Sequence, residues 1–276
     1  MSKFPPGTYI IGAQKSGTTT LARRLSENPQ ICLSEPKEVN FYSVNYDKGL
    51  EWYKQSFSDI ALELVDASTT YTMCSLSDES LSYKPGREQL QHIPRRIFEL
   101  NNNAKFIYIV RDPVARMYSN YWHNVKYGYE SLGFEEAITA DKLYIEMSMY
   151  FAQLSKYLEC FDKSRILVIK FEDLVKDQLS ILNICEEFIG VSRSPELQIV
   201  KNENKGGQYN QLARILMQNR LTRNLDKLIP SAIKNMIKRK LTKSIPELDI
   251  NTKRELLEYF KEDQKLLHES FGLSYI

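Results

Sequence analysis

The chain has 276 residues, of which 42% are hydrophobic. This length and composition suffice for a substantial core, and we expect one domain over residues 1–276. The formal net charge of +2 gives no general attraction to polyanions, so nucleic acid is not an expected partner.

Cysteine usage and hydropathy bear on the compartment. The four cysteines, Cys32, Cys74, Cys160 and Cys185, have no paired spacing. This is typical of free thiols in a reducing compartment and argues against a disulfide framework or a metal site. The N-terminus is too short for a signal peptide, and no apolar run approaches the roughly 18 residues that span a bilayer. We therefore expect a soluble, cytoplasmic protein that does not contact a membrane.

The first predicted elements form an anion site. A strand over Thr8–Gly12 leads through a short loop into a helix over about Thr18–Glu27. Loop amides and the positive end of the helix dipole meet at one point there. Lys15 adds a full positive charge to that point, and neighbouring hydroxyls add donors. The residues expected to hold a phosphate-like group are Gln14, Lys15, Ser16, Gly17, Thr18, Thr19 and Thr20.

The position of the lysine distinguishes two kinds of phosphate loop. Gly12 and Gly17 have the spacing of a Walker A loop, but Thr18 stands where that loop has its lysine. The order G-x-x-K-[SG]-G-T-[TS], with the lysine inside the loop, resembles the 5′-phosphosulfate loop of the sulfotransferases. That family uses 3′-phosphoadenosine-5′-phosphosulfate (PAPS). A loop for ATP or GTP with a displaced lysine is the alternative.

A second segment, Pro36 to Tyr42, resembles the P-K-E-x-x-F-[FY] pattern that follows this loop in the family. In the glycan-modifying branch the glutamate is the proposed catalytic base, so the resemblance implies that Glu38 deprotonates the acceptor. Lys37 is a second candidate for contact with the sulfonate. The alternative is a solvated Glu38 carboxylate that pairs with Lys37.

The next segments depart from the glycan-sulfating pattern. Asn40 stands where some of those relatives have histidine. The stretch Asp66 to Tyr71 replaces E-K-[TS]-P-x-Y, with Ala67 for the lysine and Thr69 for the proline. The small-molecule branch uses a histidine near this stretch, and the three histidines, His92, His123 and His268, all lie elsewhere. Their positions favour Glu38 as the base.

A second strong signal begins at the apolar run Lys105–Val110, which predicts a central strand of a parallel sheet. Asp112 and Pro113 then suit the start of a helix. The sequence R-D-P-x-x-R-x-x-S-x-Y resembles the family's 3′-phosphate site, which implies that Arg111 and Ser119 hold that phosphate. Arg116 is expected to pair with Asp112 one helical turn earlier.

The remaining elements follow from apolar periodicity. The predicted helices and strands are Tyr46–Phe57, Leu62–Asp66 (strand), Gly86–Asn101, Phe134–Thr139, Met147–Phe161, Arg165–Phe171 (strand), Leu179–Ile189 and Thr252–Phe271. Lys205 and Gly206 resemble the late K-G loop that closes on the 3′-phosphate in many relatives. The basic stretch Lys234–Lys243 is helical in pattern and suits either a solvated face or a docking surface for an anionic acceptor.

These patterns predict an α/β fold of three layers around a mostly parallel sheet, resembling the P-loop nucleotide kinases. The resemblance implies in-line transfer of the sulfuryl group of PAPS to a hydroxyl or amine, with Glu38 as base and Lys15 neutralising charge on the leaving oxygen. It requires no metal, and 3′-phosphoadenosine-5′-phosphate (PAP) is the product. A nucleotide kinase and a non-catalytic nucleotide sensor are the alternatives.

The acceptor is predicted from aromatic residues. Trp52, Tyr53, Tyr71 and Tyr150 suit a pocket for a small metabolite or natural product, and a sugar or polysaccharide is the alternative acceptor. The expected substrate contacts are Lys37, Asn40, Tyr71 and Tyr150.

Overall fold

A parallel sheet forms the centre of the computed structural model, which describes residues 3–194, 208–209, 242–243 and 245–275. The five strands have the order β2-β3-β1-β4-β5, and every neighbouring pair is parallel. They are β1 (Thr8–Gly12), β2 (Ile31–Leu33), β3 (Glu63–Asp66), β4 (Lys105–Val110) and β5 (Ile166–Lys170). The predicted parallel sheet is confirmed, and β2 is an edge strand whose three residues were too short a signal for a sequence prediction.

Helices connect the strands. They are α1 (Thr18–Leu25), α2 (Phe41–Val44), α3 (Gly49–Lys54), α4 (Asp78–Tyr83), α5 (Ile93–Leu100), α6 (Pro113–Tyr127), α7 (Phe134–Ala140), α8 (Leu143–Glu146), α9 (Tyr150–Leu158), α10 (Phe171–Lys176), α11 (Gln178–Ile189) and α12 (Ile250–Phe271). Short 3₁₀ turns cover Tyr46–Lys48, Thr69–Thr72, Arg87–Leu90 and Lys163–Arg165. A two-stranded antiparallel ribbon pairs β6 (Gln208–Tyr209) with β7 (Thr242–Lys243).

Two predicted helices are each broken in two. The helix predicted over Tyr46–Phe57 is a 3₁₀ turn followed by α3, and the break lies at Gly49, whose φ of 78° is outside the helical region. The helix predicted over Gly86–Asn101 is interrupted before α5, which has Pro94 in its first turn. Proline is tolerated at a helix start but cannot continue a preceding turn, because it lacks the N–H.

Both faces of the sheet are covered, which explains why its strands are apolar without alternation. On β4, Phe106, Tyr108 and Val110 point to a core shared with α5 and α9. Ile107 and Ile109 point to the opposite core, shared with α1 and α11. The three-layer α/β fold predicted from the sequence is thereby confirmed.

The C-terminal helix α12 covers more than the sheet. Leu256 and Phe260 pack in a third cluster with α6 and α7, whereas Leu267 joins the core on the α9 face. Asp263 on the same helix accepts the N–H groups of Phe151 (3.2 Å) and Ala152 (2.9 Å) in the first turn of α9. This carboxylate therefore fixes α9 against α12.

Some sequence predictions fall outside the described residues. The loop with Lys205 and Gly206 lies there, as does most of the basic stretch Lys234–Lys243. The last two residues of that stretch form β7, so they do not continue a helix. Over the described ranges, no helix has both the length and the apolar character that crossing a bilayer requires.

Candidate active site

The candidate residues follow the carboxyl ends of neighbouring strands. The loop with Lys15 follows β1, and Arg111 follows β4, which pairs directly with β1. On the other side of β1, Thr69 follows β3, and Glu38 lies in the segment that follows β2. The N–H of Thr69 donates to the carboxylate of Glu38. In parallel sheets this edge is where ligands bind, so the topology brings the two sequence segments with phosphate-type motifs to one place.

The loop after β1 has a backbone that two glycines make possible. Gly17 has φ of 87°, and a Cβ built there would lie 3.0 Å from the Phe171 ring. Gly12 has φ of 149°, and a Cβ there would lie 2.2 Å from the Thr72 hydroxyl. Both positions therefore exclude a side chain, by conformation and by contact. Gly17 is also the N-cap of α1, so the loop delivers the chain to the positive end of the helix.

Lys15 and Arg111 lie side by side. The Arg111 guanidinium donates to the carbonyl of Lys15 at 3.2 Å and packs on the Phe171 ring, 4.9 Å from its centroid. The Tyr150 hydroxyl donates to the Arg111 carbonyl at 2.8 Å, which fixes the end of β4. The two residues that the sequence assigned to two anion sites are thus adjacent.

His123 is a residue of this site that the sequence analysis did not assign. Its Nδ1 lies 3.4 Å from Nζ of Lys15. It lies one helical turn after Ser119 on α6, and this four-residue spacing was the signal that would have found it. Asn120 on the same helix donates to Gln14 at 2.5 Å. The loop is therefore held by α6 as well as by α1.

The electrostatics of the site are those of a partly buried positive cluster. Burial lowers the pKa of Lys15, and the charges of Lys126 and Arg111 lower it further. Burial, Lys15 and Lys126 together lower the pKa of His123 to about 4. His123 is therefore neutral at pH 7 and contacts Lys15 without adding a charge. An anion placed here would relieve the repulsion among the cations.

Glu38 lies near Thr69 at the end of β3. One carboxylate oxygen accepts the Thr69 N–H at 2.8 Å and the Thr69 hydroxyl at 3.2 Å. The other oxygen is paired with Lys37, as the alternative interpretation of this segment expected. The side chain is 40% exposed. It is thus both oriented by the fold and open to an acceptor.

The expected aromatic pocket is not formed. Tyr53, Tyr71 and Tyr150 are at most 2% exposed and belong to the core on the α9 face. The hydroxyls of Tyr53 and Tyr71 donate to Asp66, and that of Tyr150 to the Arg111 carbonyl. Burial with satisfied hydroxyls gives these three residues structural roles.

Asn40 and Arg116 also have structural contacts. Asn40 caps α2 at φ of 54° and bonds Glu38 and Thr70 through its amide group. Arg116 does not form the expected ion pair with Asp112. It is fully buried, and it donates to the Ser148 hydroxyl (2.6 Å) and to the Tyr144 carbonyl. Its pKa is lowered by burial.

The geometry defines a class of protein, an α/β anion binder with an accessible carboxylate nearby. Comparisons with known proteins give the family. A model of the sulfotransferase domain matches residues 5–247. The chain belongs to the sulfotransferase family. A solved sulfotransferase from Alicyclobacillus acidocaldarius superposes with a TM-score of 0.66 at 22% identity, over 98% of this chain and 97% of that one. This likeness supports the fold.

Two curated relatives have similar sequences. The human heparan sulfate glucosamine 3-O-sulfotransferase 3B1 is 29% identical over 201 residues, which are 70% of this chain and 48% of that protein. The bifunctional heparan sulfate N-deacetylase/N-sulfotransferase 4 of Mus musculus is 29% identical over 207 residues, 68% of this chain and 22% of that protein. The chain spans about half or less of the length of these relatives.

Gly17 offers a test of the loop geometry. We expect Gly17→Ala to lose about 1 kcal/mol of stability from its positive φ alone, with a further loss from contact with Phe171. Because Phe171 supports Arg111, affinity for inorganic sulfate or phosphate should fall as well. Urea unfolding and anion titration measure the two effects.

Gly86→Ala is the matched control. Gly86 has φ of 88°, but a Cβ there meets no atom within 4 Å. Gly86→Ala should lose stability because of its positive φ, and its anion affinity should be unchanged. Equal effects of both variants on stability and binding would contradict the role given to Gly17.

Proposed function

We propose that this chain transfers the sulfuryl group of PAPS to a hydroxyl or amine of a sugar acceptor. The observation that carries the proposal is the contact between Arg111 and the Lys15 loop on neighbouring strands. Two phosphate-type sites that share one sheet edge suit a ligand with an anionic group at each end. Membership of the sulfotransferase family supports the same ligand.

The described residues fit such a ligand. The Ser16 hydroxyl is buried in the loop and has no hydrogen-bond partner among the residues that the structure describes, which is costly unless a ligand or water fills the site. Across the described ranges neither Lys15 nor Arg111 forms an ion pair with a carboxylate. Residues 14–20 would hold the 5′-phosphosulfate, and Arg111 with Ser119 would hold the 3′-phosphate. The bound cofactor would supply the sulfuryl group.

The side chains have distinct roles in the proposed reaction. Glu38 accepts the proton of the acceptor hydroxyl or amine as the new bond to sulfur forms. Lys15 and the loop amides stabilise the negative charge that remains with PAP when the bond to its bridging oxygen breaks. Neutral His123 keeps Lys15 in place without adding repulsion.

A sugar acceptor replaces the small metabolite as our first choice. Three of the four aromatic residues that favoured a small molecule, Tyr53, Tyr71 and Tyr150, are in the core. The relatives are named for sulfation of glucosamine or for N-sulfation of heparan sulfate. A small metabolite is the second candidate, because Trp52, which packs against the core, is only half-buried and leaves part of its side chain accessible. The cytoplasmic location stays a prediction, and it is consistent with four free cysteines.

Glu38→Gln tests the base. In a transfer assay with radiolabelled PAPS and a panel of glucosamine oligosaccharides, we expect kcat to fall about 10²–10⁴-fold, because the amide cannot accept the proton. The affinity for PAP should stay unchanged. A fall in kcat with unchanged PAP affinity would distinguish an enzyme from a nucleotide sensor.

Glu35→Gln is the control, since Glu35 is an exposed carboxylate three residues away. It should keep wild-type turnover. The proposal fails if Glu38→Gln is as active as Glu35→Gln, or if the wild type transfers no sulfuryl group to any acceptor of the panel.

Lys15 gives a pH prediction. Its pKa is lowered, so Lys15 loses its proton at a lower pH than an ordinary lysine does. The protonated form binds the anion, and therefore PAP affinity should fall as pH rises above neutrality, where the phosphates (second pKa about 6) are already ionised. Calorimetry across this range measures the fall.

Lys15→Arg should keep its affinity to higher pH, because the guanidinium remains charged. A wild-type affinity that does not change on the alkaline side, or the same fall in Lys15→Arg, would show that Lys15 does not contribute its charge to binding.

A further inference from the structure

Asp66, the last residue of β3, is a fully buried carboxylate with three hydrogen-bond donors. The Tyr53 and Tyr71 hydroxyls both donate to Oδ2 at 2.7 Å. The Ser68 hydroxyl donates to Oδ1, also at 2.7 Å. The residue is 0% exposed and forms no ion pair with a cation in the part of the chain that the structure describes. A buried charge that is held only by neutral donors is costly, so a role beyond packing is worth seeking.

A short path connects Asp66 to Glu38. The Ser68 oxygen that donates to Asp66 also accepts the N–H of Asn40 at 2.9 Å. The next residue, Thr69, donates its N–H to the Glu38 carboxylate at 2.8 Å. Asn40 in turn donates to the Glu38 carbonyl at 3.1 Å. The segment that carries Glu38 and the turn after β3 are therefore joined next to Asp66 at two points, between Asn40 and Ser68 and between Glu38 and Thr69.

The two tyrosines that donate to Asp66 also contact α2. Phe41, which begins α2 directly after Asn40, stacks on Tyr53 with ring centroids 4.2 Å apart. The Tyr71 hydroxyl accepts the N–H of Tyr42 at 3.4 Å. Both tyrosines that donate to Asp66 thus also contact the first turn of the helix that follows the Glu38 segment. A change at Asp66 would therefore affect Glu38 through the turn after β3 and also through α2.

We propose that Asp66 is a positioning residue for Glu38, holding the base in place through Ser68 and the turn after β3. This inference rests on the proposed function of Glu38. Asp66 does not touch the acceptor or the cofactor. Its ionised form is required, because only the carboxylate accepts all three donors. A protonated Asp66 carries a hydrogen of its own on one of these oxygens, so the donor that faces this oxygen must turn away or its hydrogen bond must reverse direction.

The charge state of Asp66 is set by opposing effects. Burial raises its pKa to about 6, the three hydrogen bonds lower it, and the charge of Glu38 raises it. The titratable groups that face it from the surrounding elements are Tyr9, Tyr42, Tyr53, Tyr71, Tyr157 and Glu38. The tyrosines stay neutral, since burial raises the pKa of each well above 10. Asp66 is therefore ionised at neutral pH and gains a proton as pH falls through about 6.

Asp263 provides a matched comparison within the same chain. It is a buried aspartate whose pKa burial also raises to about 6. It accepts two N–H groups at the start of α9 and so has a structural role of similar kind. Within the described part of the chain, the hydrogen bonds of Asp263 do not involve Glu38, Ser68 or Thr69. A variant at Asp263 reports what loss of a buried carboxylate does by itself.

The experiment compares Asp66→Asn with Asp263→Asn. Steady-state transfer from PAPS is measured as a function of pH, together with PAP affinity by calorimetry. For Asp66→Asn we expect kcat to fall about 10–100-fold at neutral pH, the range expected for a displaced catalytic group, with PAP affinity unchanged. The wild type and Asp263→Asn should share a loss of kcat below about pH 6, and Asp66→Asn should lack that transition.

Ser68→Ala is the second variant, for use if Asp66→Asn does not fold. It removes the hydroxyl that links Asp66 to Asn40 and leaves the carboxylate in place. It should lower kcat with PAP affinity unchanged. Hydrogen exchange at the Thr69 amide gives a readout without turnover, because release of Glu38 should accelerate that exchange in both variants.

The outcomes separate the two claims. If the wild type is active and Glu38→Gln is not, but Asp66→Asn matches Asp263→Asn in kcat, pH profile and Thr69 exchange, then the role of Asp66 is refuted while the proposed function stands. If Glu38→Gln retains full turnover, the proposed base is wrong, and the role of Asp66 fails with it.

Discussion

The site depends on positive charge gathered at one edge of the parallel sheet, where no carboxylate of the described residues forms an ion pair with Lys15 or Arg111. Lys15 and Arg111 meet there because β1 and β4 are neighbours. Behind them, Arg116 is fully buried, and its Nη1 has no partner among the described residues. Burial is the main cause of the lowered pKa values of Lys15 and Arg116, and the nearby charge of Arg111 lowers both further. A ligand with two separate anionic groups would neutralise the arrangement, and this neutralisation would favour binding of the proposed cofactor.

The acidic side of the site is kept apart from this charge. Glu38 is oriented by the Thr69 N–H beyond β3, and Asp66 lies buried behind the same turn. Had Glu38 paired with Lys15, it would have neutralised the cation and lost its capacity as a base. Its observed partner is Lys37, an exchangeable pair near the surface. The strand order thus separates the cations Lys15 and Arg111 from Glu38, the proposed base, along a single edge.

The sequence predicted what local patterns determine. Buried parallel strands have continuous apolar runs, so β1 and β4 were correct in their bounds, and Asp112 with Pro113 marked the start of α6. Contacts between distant residues were not predictable in this way. Lys15 and His123 are 108 residues apart. The tyrosines were assigned to an acceptor pocket because a sequence does not show that a buried Asp66 accepts their hydroxyls. The resemblance identified Arg111 and Glu38, and the pairing of Glu38 with Lys37 was one of the predicted alternatives. The contacts of Glu38 with Thr69 and of Arg111 with Phe171 came only from the structure.

The central claim is that this edge binds a nucleotide through a 3′-phosphate as well as a 5′-phosphate. Calorimetry with PAP and with AMP isolates the 3′-phosphate, because the two ligands differ only there. We predict that PAP binds more tightly than AMP and that Arg111→Ala removes this difference, whereas Arg165→Ala, a control at the opposite end of β5, preserves it. Equal affinity of the wild type for PAP and AMP, or an undiminished preference in Arg111→Ala, would contradict the account.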